Sequence, residues 1–200
     1  MLPGIKAVLF DCDGVLCEPW RFANVLNDQH GITIEMTKHF FKNDFVLALE
    51  GKVFLPDILP NYLEQWGWSQ SVQDFIDLWL DSEKEVSPKT IELVELCSER
   101  GLITALATNQ ESCRARYMRE VMGFEQLFKF CFISSEVGHC KPQLGFYQSV
   151  MQQLAVQPNE ILFIDDQLNY LIPAKELGWK TLLFTDAESV RAKMLSGAFD

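Results

Sequence analysis

A chain of 200 residues is long enough for one well-cored domain, or for one domain carrying a sizeable insertion. With 48% hydrophobic and 22% charged residues, the composition is that of a folded globular protein and excludes a disordered chain or a fibre. A formal net charge of -11 repels phosphate backbones and anionic headgroups at long range, so neither nucleic acid nor a membrane surface is an expected partner.

The stretch from Met1 to Phe10 is too short for a signal peptide and runs straight into Asp11. No apolar run reaches the ~18 residues of a membrane span. The six cysteines, at 12, 17, 97, 113, 131 and 140, match no zinc spacing, and free thiols in a reducing cytoplasm are expected. A monomer is the expected state.

In chain order, the first apolar run is Lys6 to Phe10. Further runs of strand length follow at Leu102 to Ala107, Phe128 to Ile133, Ile161 to Ile164 and Thr181 to Phe184. None alternates, as befits parallel strands buried on both faces. Helical patterns separate the later runs. Pro88 to Glu99 has Ser87 as its cap, Glu111 to Met122 is closed by Gly123, and Gln143 to Leu154 and Pro173 to Leu177 follow, the last closed by Gly178. Strands alternating with helices predict a doubly wound α/β fold with a five-stranded, Rossmann-like parallel sheet.

The first interval breaks that rhythm. About seventy residues separate the first strand from the helix at Pro88, far more than a crossover needs. Four helical patterns fill it: "PWRFANVLNDQHG", "TKHFFKNDFVLALEG", "PDILPNYLEQWG", and "SQSVQDFIDLWLDSEKEV" with Ser69 as its cap. The expectation is a four-helix lid over residues 18–86, inserted into a core of residues 1–17 and 87–200. Its hinges fall at Cys17 to Pro19 and Val86 to Pro88. The acidic "DSEKE" reads as a solvated helix face.

In an open parallel sheet, ligands bind at the carboxyl ends of the strands, and polar residues collect there. They are Asp11 and Asp13 after the first strand, Thr108 and Asn109 after the second, Lys141 beyond the third, and Asp165 and Asp166 after the fourth. Four converging carboxylates raise one another's pKa unless a cation sits among them. A hard divalent ion with oxygen ligands answers that need, and Mg²⁺ suits carboxylates shared with a phosphate. Singly, each acid could be a turn or cap residue, and Thr108 could cap the helix near Glu111. Cys12 alternates with the two aspartates and points into the core.

"DCDGVL", "ATNQ", "CKPQLGFY" and "LFIDDQ", in that order, resemble the four motifs of the haloacid dehalogenase-like hydrolase superfamily, in its branch with a helical cap inserted after the first motif. The resemblance implies that Asp11 is a nucleophile forming an aspartyl-phosphate and Asp13 its general acid and base. It implies that Thr108 and the Asn109 amide hold the phosphoryl group and that Lys141 neutralises it. Asp11, the Asp13 carbonyl, Asp165 and Asp166 would hold Mg²⁺. Dehalogenases of this fold resemble the chain but lack an acid at the position of Asp13. The implied activity is hydrolysis of a small phosphorylated metabolite, such as a sugar phosphate. A phosphomutase, a phosphonate hydrolase using Lys38, Lys42 or Lys52, and a non-catalytic phosphate-binding module are the alternatives. One departure stands out: Asn169 falls one place early and Tyr170 takes its position. In the lid, Trp20, Arg21, Phe22, Glu50, Gly51 and Lys52 are the residues expected to approach the substrate.

Overall fold

A computed structural model describes residues 2–18 and 21–199. Pro19 and Trp20, part of one expected hinge and of the expected lid contacts, lie outside the described residues.

The strand β1 (Ala7–Phe10) is followed by five helices before the sheet resumes: α1 (Arg21–His30), α2 (Ile34–Lys42), α3 (Asp44–Leu49), α4 (Leu55–Trp66) and α5 (Val72–Ser82). Thereafter come α6 (Pro88–Glu99), β2 (Ile103–Thr108), α7 (Ser112–Glu120), α8 (Phe124–Leu127), β3 (Phe130–Ile133) and α9 (Ser134–Val137). The chain continues through α10 (Leu144–Leu154), β4 (Ile161–Asp165), α11 (Leu168–Glu176), β5 (Lys180–Leu183) and α12 (Ala187–Ser196).

The five strands form one parallel sheet in the order β3-β2-β1-β4-β5. The order reverses at β1, which puts the switch point between β1 and β4. Every residue of β1 is fully buried, with Val8 and Phe10 facing one apolar layer and Ala7 and Leu9 the other. That two-sided burial explains the lack of alternation. Leu93, Val94 and Met118 from α6 and α7 and Met194 from α12 cover the first face. Phe146, Val150 and Leu154 from α10 and Leu171 and Ala174 from α11 cover the second.

The helices between β1 and α6 enclose a separate apolar cluster in which Phe40, Leu59 and Phe75 are fully buried. Among the described residues they number five, not the expected four, because the pattern around "FFKNDF" breaks at Asn43. Asn43 has φ -124° and ψ -81°, outside the helical region, and its side-chain Nδ2 joins its backbone amide in donating to the His39 carbonyl, which closes α2 there. α5 starts at Val72, and its cap is Ser71 instead of Ser69. Ser71 Oγ accepts from the Asp74 amide at 3.1 Å while Asp74 Oδ2 accepts from the Ser71 amide at 3.0 Å, a reciprocal box that Ser69 cannot form. α11 begins at Leu168, five residues before Pro173, which sits inside the helix and does not open it. The two chain crossings lie side by side: Cys17 bridges Val86, and the Ser87 amide donates to the Leu16 carbonyl at 2.7 Å.

Candidate active site

Strand register gathers the acids. Phe10 pairs with Ile164, so the next residues, Asp11 just past β1 and Asp165 at the last position of β4, stand side by side at the switch point. The chain then turns at Gly14, whose φ of +85° suits only glycine; a Cβ there would overlap the Asp166 carboxylate. Oxygens of Asp11, Asp165 and Asp166 all lie within 4.8 Å of one another. Burial pushes the Asp11 carboxyl up from 3.8 to about 7, Lys141 opposing and Asp165 adding to the rise. Asp166 is raised by burial as well. Carboxylates that resist ionisation when packed together, on hard oxygen donors, fit a divalent cation. The Asp13 carboxylate stands outside that cluster.

Lys141 occupies the centre. Its buried Nζ lies 2.9 Å from Asp11 Oδ1 and 2.6 Å from Asp165 Oδ2, with the Tyr170 ring 4.9 Å away. Burial alone would lower its pKa, but the two carboxylates outweigh it and the pKa is raised. Asn109 fixes the loop through a reciprocal pair: its Nδ2 donates to the Lys141 carbonyl at 2.9 Å and its Oδ1 accepts from the Lys141 amide at 2.8 Å. Tyr170, at the expected Asn position, is held by its own carbonyl accepting from the Tyr147 hydroxyl at 2.6 Å. The motif is thus supported by an aromatic ring under the lysine.

Asp11, Asp13, Thr108, Asn109, Lys141 and Asp166 line one cavity of about 580 Å³; Asp165 is fully buried beneath it. Thr108 is not the cap of α7. That role falls to Glu111, whose oxygens accept from the Cys113 and Arg114 amides at 2.7 and 2.6 Å.

Three contributors were not legible in the sequence. Gln110 Nε2 donates to Asp13 Oδ2 at 2.6 Å, and Arg114 Nη2 donates to Asp13 Oδ1 at 3.0 Å. Arg114 Nη1 also ion-pairs with Glu83 Oε2 at 3.0 Å. Glu83 belongs to the "DSEKE" stretch, but it turns inward, and burial raises its pKa against the pull of Arg114. The only signal available was the position of Arg114 between Cys113 and Ala115 on the buried side of α7, where Arg116 and Arg119 of the same helix are less buried.

The lid expectations divide. Phe22 lines the cavity. Arg21 instead ion-pairs with Glu18 and Glu85 beside the crossings. Glu50 and Lys52 pair with each other at 2.6 Å, and Glu50 accepts from Gln143 Nε2 at 2.5 Å, so this turn docks on the core and is absent from the cavity lining. Cys12 is fully buried in the core, and His30, His39 and His139 are exposed.

A family model described as haloacid dehalogenase-like hydrolase matches residues 5–178. The chain belongs to that family. Among curated relatives, this hydrolase is 30% identical over 126 residues to bifunctional epoxide hydrolase 2 of Sus scrofa, a match covering 60% of the chain and 22% of that protein. It is 32% identical over 88 residues to a sesquiterpene phosphatase of Aspergillus oryzae, covering 44% and 45% of the two chains. The aligned stretch is thus about a fifth of the epoxide hydrolase's length. A haloacid dehalogenase family enzyme of Bacteroides thetaiotaomicron, solved with magnesium and inorganic phosphate, shares the fold. The TM-score is 0.77 at 20% identity, over 90% of this chain and 94% of that one. No described helix is long and apolar enough to cross a membrane.

Proposed function

We propose that this hydrolase is a Mg²⁺-dependent phosphatase that cleaves phosphate monoesters through an aspartyl-phosphate on Asp11. The observation that carries the reading is the pairing of Asp11 with Lys141 at 2.9 Å, with the Asp13 carboxylate on the same cavity. One residue is set to attack, one to neutralise, and one to move protons. The Aspergillus relative named a phosphatase, and the Bacteroides neighbour crystallised with magnesium and phosphate, support the same chemistry.

Asp11, Asp166 and the Asp13 carbonyl would hold Mg²⁺, with Asp165 directly or through water; bound there, the ion neutralises charge on the phosphoryl oxygens. Asp11 attacks phosphorus and forms an acyl-phosphate bond as the ester P–O bond breaks. Asp13 gives its proton to the departing alkoxide. The resulting Asp13 carboxylate then takes a proton from water, which attacks phosphorus and releases phosphate and free Asp11. Thr108 and the Asn109 amide orient the phosphoryl group, and Lys141 balances the negative charge that builds there. Residues 18–86 act as a cap that excludes water from the acyl-phosphate, hinged at the crossings near Cys17 and Val86. An acid at position 13 favours this reading over dehalogenation, which requires no proton for its halide leaving group. Lys52, bound to Glu50 away from the cavity, is unavailable for a phosphonate-type Schiff base.

The test is phosphate release from a panel of phosphorylated compounds with and without Mg²⁺, with Asp11→Asn as the blank. Release that needs the metal and vanishes in the variant supports the reading. Release that persists in Asp11→Asn overturns it.

A further inference from the structure

The cavity extends well past the carboxylates, and its far side is hydrocarbon. Phe22, Leu26, Ile32, Phe41, Phe45 and Trp79, all from the inserted helices or the loop between them, form this wall. Phe22 and Trp79 stack with ring centres 4.9 Å apart at an interplanar angle of 4°. Phe41 and Phe45 set their rings 5.6 and 5.3 Å from Trp79.

The buried polar atoms of this wall are engaged within the protein. Trp79 Nε1 donates to Glu83 Oε2 at 2.9 Å, and the Glu83 charge is matched by Arg114. Thr37 Oγ1 donates back to the Ile34 carbonyl of its own helix at 3.2 Å. Lys38 and Lys42 also border the cavity but are exposed, and Lys38 pairs with Glu35 at 3.1 Å. A sugar or polyol placed against the aromatic wall would lose water from its hydroxyls and meet no partner, which is unfavourable. A hydrocarbon chain meets the opposite situation. A cavity of about 580 Å³ is also far larger than a phosphoryl group requires and lies in the size range of sites that enclose whole small ligands.

We propose that the site takes phosphate monoesters of long apolar alcohols, the phosphoryl group on Asp11 and the hydrocarbon chain along the Phe22–Trp79 wall. The assignment rests on the phosphatase reading and narrows its substrate class away from the sugar phosphates that the sequence resemblance allowed.

The test is kcat/KM, in the presence of Mg²⁺, for linear alkyl monophosphates from ethyl to dodecyl, with glucose 6-phosphate alongside. Each methylene that enters the wall should raise kcat/KM about fourfold until the cavity is full. Ile34 lines the same cavity and is exposed at the first turn of α2, where an acidic residue is compatible with the helix. Ile34→Asp should lower the dodecyl-to-ethyl ratio by about tenfold or more. An isoprenyl monophosphate and an acylglycerol phosphate then separate the two sources of such a chain, a bare hydrocarbon alcohol and a glycerolipid. Turnover that is flat with chain length, or that favours glucose 6-phosphate, overturns this proposal and leaves the phosphatase standing. Absence of phosphate release from every compound counts against the phosphatase itself. In that event calorimetric binding of the same alkyl series decides the wall: affinity that climbs with chain length upholds it, and affinity that does not overturns it.

Discussion

Arg114 and Asp13, 101 residues apart in sequence, meet at 3.0 Å, and the same guanidinium pairs with Glu83 where α5 ends. One buried cation therefore ties the second aspartate of the first motif to the last residues of the insert. Arg114→Ala leaves Glu83 buried beside no counter-charge and should cost about 3–5 kcal/mol in denaturant unfolding. Arg114→Met with Glu83→Gln removes both charges and should recover most of that stability. Turnover should remain depressed in the double variant, because Asp13 is then held by Gln110 alone. Equal turnover in the double variant and wild type would remove Arg114 from the positioning of Asp13.

Gly14 yields a second prediction. Its φ of +85° and its closeness to Asp166 mean that Gly14→Ala is strained twice, once in the backbone and once against the carboxylate. The backbone term alone is about 1–2 kcal/mol. Displacing Asp166 should weaken Mg²⁺ binding by calorimetry, whereas alanine at the exposed turn Gly67, also at positive φ but facing open space, should cost stability without changing metal affinity.

Proton and metal compete for Asp11. In the metal-free fold its carboxyl titrates at about 7, raised from 3.8 chiefly by burial. Between those two values the folded chain holds a proton that the unfolded chain has lost, so without metal its contribution to stability falls as pH rises through that window. Mg²⁺ takes only the ionised carboxylate. Its affinity should therefore rise up to about tenfold per pH unit towards 7 and level off above it. Thermal unfolding with and without a chelator, across this range, should show metal stabilisation growing as pH rises. A metal effect independent of pH would separate Asp11 from the metal site.

Gly51 marks where the insert docks on the core. With φ at +68°, an added Cβ would run into the Ser135 carbonyl. Gly51→Ala should loosen the insert and expose the cavity, read as faster hydrogen exchange in α1–α5 with β1, β2 and β4 still protected. Uniform exchange throughout the chain would contradict an insert that opens by itself.

Strand runs, the order of the motifs and the convergence of Asp11, Asp13, Thr108, Asn109, Lys141 and Asp166 were legible because they depend on local periodicity and on where a parallel sheet ends. Helix ends inside the insert were less so. Ser69 and Ser71 look alike until the side chain of Asp74 selects between them, and Asn43 breaks a pattern that apolar spacing alone continues. Long-range partners were out of reach. Nothing local distinguishes Glu83, turned inward onto Arg114, from its exposed neighbours Lys84 and Glu85, and Glu50 looked like a substrate contact until Gln143 was found beside it. The apolar spacing in the insert also could not tell residues that only pack from Trp79, which packs and faces the cavity as well, whereas Phe22 was expected there from its place after the first motif.

The stereochemistry at phosphorus distinguishes a covalent step on Asp11 from direct attack by water. A phosphorothioate monoester made chiral at phosphorus by one heavy-oxygen label, and hydrolysed by the wild-type protein with Mg²⁺ in water carrying the third oxygen isotope, releases a chiral thiophosphate and passes through two in-line displacements if Asp11 is phosphorylated. Each displacement inverts the centre, so a phospho-Asp11 intermediate gives thiophosphate of retained configuration. Inverted thiophosphate would mean that water attacks the ester directly, and Asp11 would then be a ligand and not the nucleophile.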